Sequence, residues 1–312
     1  MIQKKSTNKS TKKREQSNPV FQVKEPILLM DFLIKNLTDK SRNNIKTLLK
    51  DGQIWVNDIK NTQFNHPLLP GNTVEIRKQK SKEATVIQGI QVIYEDDYVI
   101  VIDKNSGVLS MATEKRDQVT AYSLLSDYVK KRDSDAKVFI LHRLDRETSG
   151  VMVYAKSQKI QEWMQRDWQK IVTERTYLAI VSGHPQKKSG TITSYLKENK
   201  SLKVYSSQDA TEGQLAITHY EAHKTNKHYS LLKVNPETGR KNQIRVHMQD
   251  MGHPIVGDKK YGSNQNPISR LGLHAWVLAF IHPVTNKLMR FESPVPKKFS
   301  ALFVEKPPKQ EE

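Results

Sequence analysis

The sequence predicts an α+β protein: a domain on a mixed, largely antiparallel β-sheet, preceded by a small α+β module. Three observations point there. Apolar residues fall at helical spacing in a few short segments and alternate in several others. No regular β-α-β alternation and no glycine-rich phosphate loop occurs, which disfavours a doubly wound nucleotide fold. Between the patterned regions, Gln79 to Gly89 shows no apolar periodicity and reads as a connecting stretch. With 312 residues, both parts can bury a core. The expected divisions are an arm over 1–24, the module over 25–80, a linker over 81–89, the larger domain over 90–304 and a tail over 305–312.

In the module, Ile27, Leu28 and Leu29, then Phe32, Leu33 and Leu37, recur at helical spacing. A second amphipathic segment carries Ile45, Leu48 and Leu49 after Ser41, a suitable N-cap. Asp51-Gly52 stops that helix. Gln53 to Asn57 alternates as a strand, Pro70-Gly71 turns the chain, and Thr73 to Arg77 alternates again. Trp55 points away from its neighbours Ile54 and Val56, either covering the module's own core or stacking on a base.

In the larger domain, Ile90 to Tyr94 and Tyr98 to Ile102 flank Glu95-Asp96-Asp97 and predict a hairpin. Helical spacing follows at Tyr122, Leu125, Tyr128 and Val129. Strands are expected at Val138 to Leu141 and Val151 to Ala155. Ser157 then caps a helix carrying Ile160, Trp163, Met164, Trp168 and Ile171, whose tryptophans read as core. Further strands are expected at Thr176 to Val181, Thr218 to Glu221 and His228 to Val234. A helix over Gln243 to Met251 packs through Ile244, His247, Met248 and Met251.

Composition narrows the function. Lys and Arg number 51 against 33 Asp and Glu, a formal charge of +18, which argues for a polyphosphate partner. The first 24 residues hold Lys4, Lys5, Lys9, Lys12, Lys13, Arg14 and Lys24 against Glu15 alone, and read as a basic disordered arm or a solubilising tail. Cysteine is absent, which excludes disulfide scaffolds, thiolate metal sites, iron–sulfur clusters and thiol catalysis. Without an apolar run of spanning length or a signal-peptide core, a cytoplasmic protein with no membrane partner is expected.

Two surfaces carry chemistry. Arg42, Lys46 and Lys50, at four-residue spacing, share one helix face, where an anion would relieve their mutual repulsion; a solvated face is the other reading. The stretch from His142 to Gly150 is a polar loop between two apolar strands, where active-site groups are commonly mounted. There Asp145 stands between Arg143 and Arg146, whose guanidinium groups would keep it an ionised nucleophile. Taken alone, the loop also reads as a surface turn with ion pairs. His142 and Asp145 lack the further ligands a metal would need.

The wider pattern joins this loop to other segments: Arg175-Thr176-Tyr177-Leu178-Ala179-Ile180-Val181, Thr238-Gly239-Arg240-Lys241-Asn242-Gln243-Ile244-Arg245-Val246-His247-Met248, Gly257-Asp258, Tyr261-Gly262, and Leu273-His274-Ala275. In this order they resemble the RluA-type pseudouridine synthase family over about Ile90 to Pro296. The module, through Ser41-Arg42 and Lys50-Asp51-Gly52-Gln53-Ile54-Trp55-Val56-Asn57, resembles the S4 RNA-binding domain. The resemblance implies isomerisation of uridine in RNA, in ribosomal or transfer RNA, by a monomer with no cofactor and no metal. It implies Asp145 as the catalytic aspartate acting at C1′, Tyr177 as the ring that stacks on uracil and helps remove the C5 proton, and Arg245 as the basic partner of the aspartate. Arg42, Lys46, Lys50, Arg143, Arg146 and Arg240 are the expected RNA-binding residues. Two departures stand out. Lys104-Asn105-Ser106-Gly107 lacks the proline that usually follows the lysine, and Lys241-Asn242 replaces the common Thr/Ser-His pair. An RNA-binding or ribosome-assembly factor without essential catalysis is the competing reading; a basic nuclease would need acidic metal ligands the sequence does not offer.

Overall fold

The computed structural model describes residues 19–38, 40–50, 52–76, 85–112, 119–211, 213–262 and 264–304. The chain forms two compact units, Met1–Glu83 and Ala84–Glu312. Residues 1–18 of the expected arm, 81–84 of the linker and the tail over 305–312 lie outside the described residues.

The first unit comprises β1 (Val20–Gln22), β2 (Ile27–Leu28), α1 (Leu29–Asn36), α2 (Arg42–Lys50), β3 (Ile54–Val56), β4 (Ile59–Lys60), β5 (Pro67–Leu68) and β6 (Thr73–Ile76). One sheet runs β1-β6-β3-β4, and β2 pairs with β5. Leu29, Leu33, Ile45, Leu49, Ile54 and Val74 meet in its core, each contributing about 1.5–3 kcal/mol by burial. Helix α2 starts where Ser41 Oγ accepts from Asn44 N at 3.2 Å. It ends at Gly52, in the left-handed region at φ 65, with Gly52 N donating to Leu49 O and Gln53 N to Leu48 O. Two boundaries differ from the sequence reading. Val20–Gln22 is a strand on β6, so the arm gives way to the module before residue 24. Ile27–Leu28 pairs with Pro67–Leu68, so the first helix begins only at Leu29.

The second unit comprises β7 (Thr85–Ile87), β8 (Ile90–Glu95), β9 (Val99–Lys104), α3 (Ala121–Lys130), β10 (Phe139–Ile140), β11 (Ser149–Ala155), α4 (Gln158–Arg166), α5 (Trp168–Ile171), β12 (Val172–Ser182), β13 (Ser189–Glu198), β14 (Val204–Ser207), β15 (Gln214–Thr225), β16 (Tyr229–Pro236), α6 (Gln243–Asp250), β17 (Leu273–Ile281), β18 (Leu288–Glu292) and α7 (Lys297–Ala301). Its mixed sheet runs β14-β13-β15-β16-β12-β17-β11-β9-β8-β7, with β10 on β11 and β18 on β17. Among the described strand ladders only β11 and β17 run parallel, Ser149 and Gly150 opposite His274 and Ala275. Gly150, at φ 120, permits this approach, because a Cβ there would lie 2.0 Å from the Ala275 carbonyl oxygen.

Apolar residues cover both faces of the sheet. Leu125 and Val129 of α3 pack with Ile100, Ile102 and Met152; Met164 of α4 packs with Val101, Val153 and Phe280. Helix α6 seats Ile244 and Met248 on Val181, Leu232 and Val234. Thr120 and Ser157 cap α3 and α4 through their hydroxyls. The helix expected after Ser157 is broken at Asp167 into α4 and α5, and Thr85–Ile87 of the expected linker is a strand on β8. At Asp167 the carbonyl accepts from Lys170 N and Ile171 N and starts a new helical turn, and Thr85–Ile87 hydrogen-bonds along the edge of β8. Among the described residues, no helix is long and apolar enough to cross a membrane.

Candidate active site

The loop from Leu141 to Thr148 enters β11, and residues Lys104 to Ser110 brace it on both sides of Asp145. Before the aspartate, Ser110 Oγ donates to Leu144 O at 2.7 Å and accepts from Leu144 N at 3.0 Å. After it, Gly107 N donates to Arg146 O at 2.9 Å and Ser106 Oγ to Glu147 O at 2.8 Å. Lys104, fully buried, donates from Nζ to the carbonyls of Asn105, Val108 and Arg146. Burial pulls its ammonium down to about 8, against the opposing pull of Glu147 and Asp145. The missing proline is explained here: Asn105 N donates to Gly89 O at 3.0 Å, a bond proline cannot make.

Arg245 projects from α6 and meets Asp145 through Nη1 at 3.2 Å. Its Nε and Nη2 bind the two carboxylate oxygens of Asp258 at 2.7 and 2.8 Å, a bidentate pair. Side-chain exposure falls from 23% at Asp145 to 13% at Arg245 and 0% at Asp258, so of the two carboxylates Asp145 is the one left open. Burial would lower the Arg245 guanidinium, but Asp258 and Asp145 together hold it above its ordinary value. Asn242 completes the cluster. In the left-handed conformation that Asn tolerates, it accepts from Arg245 Nη1 at 3.0 Å and donates to Tyr261 Oη at 3.0 Å. Tyr261 in turn lies under the guanidinium, 4.9 Å from ring centroid to carbon.

These groups open onto a cleft of about 320 Å³ that Asp145, Tyr177, Arg143, Arg175, Arg240 and Arg245 help to line. Tyr177 stands half-buried on β12 and packs against the cores on either side of it. Burial raises its phenol above the ordinary value, Arg175 opposes this, and Asp145 adds to it. Arg146 does not line the cleft: its Nε donates to Gly107 O and steadies the loop. Arg240 donates to Leu215 O at 3.0 Å. Arg42, Lys46 and Lys50 lie exposed on α2 in the other unit. Among the described residues, no group of three or more His, Asp or Glu is placed to hold a metal ion.

Three histidines of these segments are held by packing and hydrogen bonds. His142 Nε2 accepts from Val153 N at 3.1 Å while its ring lies against Trp168, and burial holds it down to about 3. His247 binds the hydroxyls of Ser194 and Thr218 and is held to about 4, again by burial. His274 pairs with Ser149 Oγ at 2.8 Å and is likewise held to about 4. Sequence reasoning missed Asp258 and Asn242 as partners of Arg245. The signal present was their place in the Lys241-Asn242 and Gly257-Asp258 motifs.

This sheet and cleft define the class. The chain superposes on human RNA Pseudouridylate Synthase Domain Containing 4 with a TM-score of 0.56 at 23% identity, covering 67% of this chain and 90% of that one, a likeness of fold. Sequence adds the particular. Residues 98–250 match the family described as RNA pseudouridylate synthase. The chain is 31% identical over 269 residues to the Bacillus subtilis protein described as the uncharacterized RNA pseudouridine synthase YhcT, spanning 85% of this chain and 88% of that one. It is 30% identical over 281 residues to ribosomal large subunit pseudouridine synthase D of Haemophilus influenzae, spanning 84% and 86%. The chain belongs to the RNA pseudouridine synthase family of isomerases that act on RNA.

Proposed function

We propose that this isomerase modifies uridines of large-subunit ribosomal RNA, as a cytoplasmic monomer, with Asp145 as its nucleophile. The observation that carries the reading is the cleft-facing Asp145, braced by its loop and paired at 3.2 Å with an Arg245 that Asp258 already holds. Asp145 attacks C1′ as the N1–C1′ bond breaks. The freed uracil turns and its C5 displaces the Asp145 carboxylate from C1′; C5 then gives up its proton while N1 gains one. Tyr177 supplies the stacking face for the turning base. Its raised phenol favours that role over a resident phenolate. The target base must leave its stack, at a cost of about a few kcal/mol. RNA contacts offset it: Arg143 and Arg240 from the cleft, Arg146 from the loop, and Arg42, Lys46 and Lys50 from an S4-like module. The name of the Haemophilus influenzae relative, ribosomal large subunit pseudouridine synthase D, supports ribosomal RNA as the target.

The test is tritium release from large-subunit ribosomal RNA labelled at uridine C5. Wild-type protein releases label, and Asp145→Asn slows release by at least about a thousandfold. Release at the wild-type rate by the variant removes Asp145 from the nucleophile role. Label freed only from transfer RNA moves the target.

A further inference from the structure

Arg175 sits two residues before Tyr177 on β12, so both side chains leave the same face of the strand, and both line the cleft. Its guanidinium is held from one end. Nη2 donates to Pro236 O at 2.8 Å and to Thr238 O at 2.6 Å, using both of its hydrogens on the turn that leads into α6. The three remaining N–H donors, on Nε and Nη1, meet no acceptor among the described residues. No carboxylate among them forms an ion pair with Arg175. The two carboxylates lining the cleft are engaged elsewhere: Asp145 with Arg245, and Glu237 with His219 Nε2 at 2.6 Å.

Arg175 is therefore a half-buried cation, fixed in orientation, with unused donors beside the stacking tyrosine. A partly buried charge without a counter-charge is costly, so its retention calls for an anion that arrives with the ligand.

We infer that Arg175 is a phosphate subsite of the cleft, taking a non-bridging oxygen of the RNA backbone next to the uridine that stacks on Tyr177. This rests on the reading of the cleft as the uridine site. The carbonyl anchors set where the phosphate lies, and the phosphate then sets how far the nucleotide enters. Lysine, a point charge without the fork that binds two carbonyls, would keep the attraction and lose the registration.

The experiment measures binding of a large-subunit ribosomal RNA transcript across a salt series. Arg175→Gln is expected to raise the Kd about tenfold and to flatten the slope of log K against log salt by about 0.7, the value for one single-strand phosphate contact. Arg175→Lys should keep the wild-type slope. An unchanged slope with Arg175→Gln overturns the subsite and leaves Arg175 as a brace for the Pro236–Thr238 turn. If Arg175→Gln fails to fold, Arg175→Lys carries the test: slower single-turnover tritium release at saturating RNA with the wild-type salt slope is expected, because the charge stays and the registration is lost, and a wild-type rate overturns the subsite. Tritium release from the same transcript by wild-type protein reports separately on the choice of target, so failure of that choice and failure of the subsite are read from different measurements.

Discussion

The cations of α2 and those of the cleft differ in how they are held. Arg42, Lys46 and Lys50 stand exposed along one helix face, and no carboxylate among the described residues pairs with them. Arg245 instead spends its donors on Asp258, Asp145 and Asn242, and Arg175 is anchored on two carbonyls. An exposed lysine or arginine attracts phosphate over a Debye length of about 8–10 Å and is screened by salt. A buried, oriented guanidinium acts at one point, where its geometry is set before the substrate arrives. Charge count alone treats the two regions alike; burial and hydrogen bonding separate them, and the proposed roles, grip on α2 and chemistry in the cleft, follow that difference.

The largest effect expected to test this contrast is at Asp258. Asp258→Asn removes the buried counter-charge of Arg245, and breaking a buried pair costs about 3–5 kcal/mol. If even 3 kcal/mol of that reaches the transition state, the rate of single-turnover tritium release falls on the order of a hundredfold. A loss confined to RNA affinity would show that Arg245 belongs with the gripping cations after all. A smaller effect is expected on α2. Replacing Arg42, Lys46 and Lys50 together by Gln should weaken RNA binding about tenfold and reduce the salt slope by about two. An equal fall in the single-turnover rate at saturating RNA would break the division between the regions.

A third effect concerns pH, and it falls on stability, leaving rate and RNA affinity aside. His142 is held to about 3, and His247 and His274 to about 4, so all three are neutral in the folded domain. Unfolded, each titrates near 6.5, so between those values the unfolded chain binds more protons. Stability is thus fully present above about 6.5 and is lost as pH falls toward 4 and then 3. At pH 5 the loss is on the order of 1–2 kcal/mol per histidine, enough to lower the Tm by several degrees. A Tm that does not move between pH 7.5 and 5 would show that these rings are not held neutral.

What the sequence disclosed depended on how each element is buried. The hairpin about Asp96 and helix α6 show one apolar face each, and their patterns are plain. Strand β17, Leu273 to Ile281, is covered on both faces, so its apolar run lacks the alternation that marks a strand. Strand β13 alternates Ser, Thr and Gly with few large residues, and its pairing with β15 is invisible to a reading of one segment at a time. The same limit applies to the site. Asp145 stood out because its charged neighbours are adjacent in sequence. Asp258 and Arg175 did not, because their partners are distant along the chain or are backbone carbonyls.

The parallel ladder between β11 and β17 has a consequence for synthesis. It joins residues 125 apart through Ser149 and His274, and Asp145 meets Arg245 across 100 residues. The first unit, by contrast, closes its core within Val23 to Ile76. On a translating ribosome, contacts of short range form first. The emerging polypeptide can therefore complete its small module while the cleft around Asp145 still lacks Arg245 and its central strand, so the part proposed to grip RNA is finished before the part proposed to modify it.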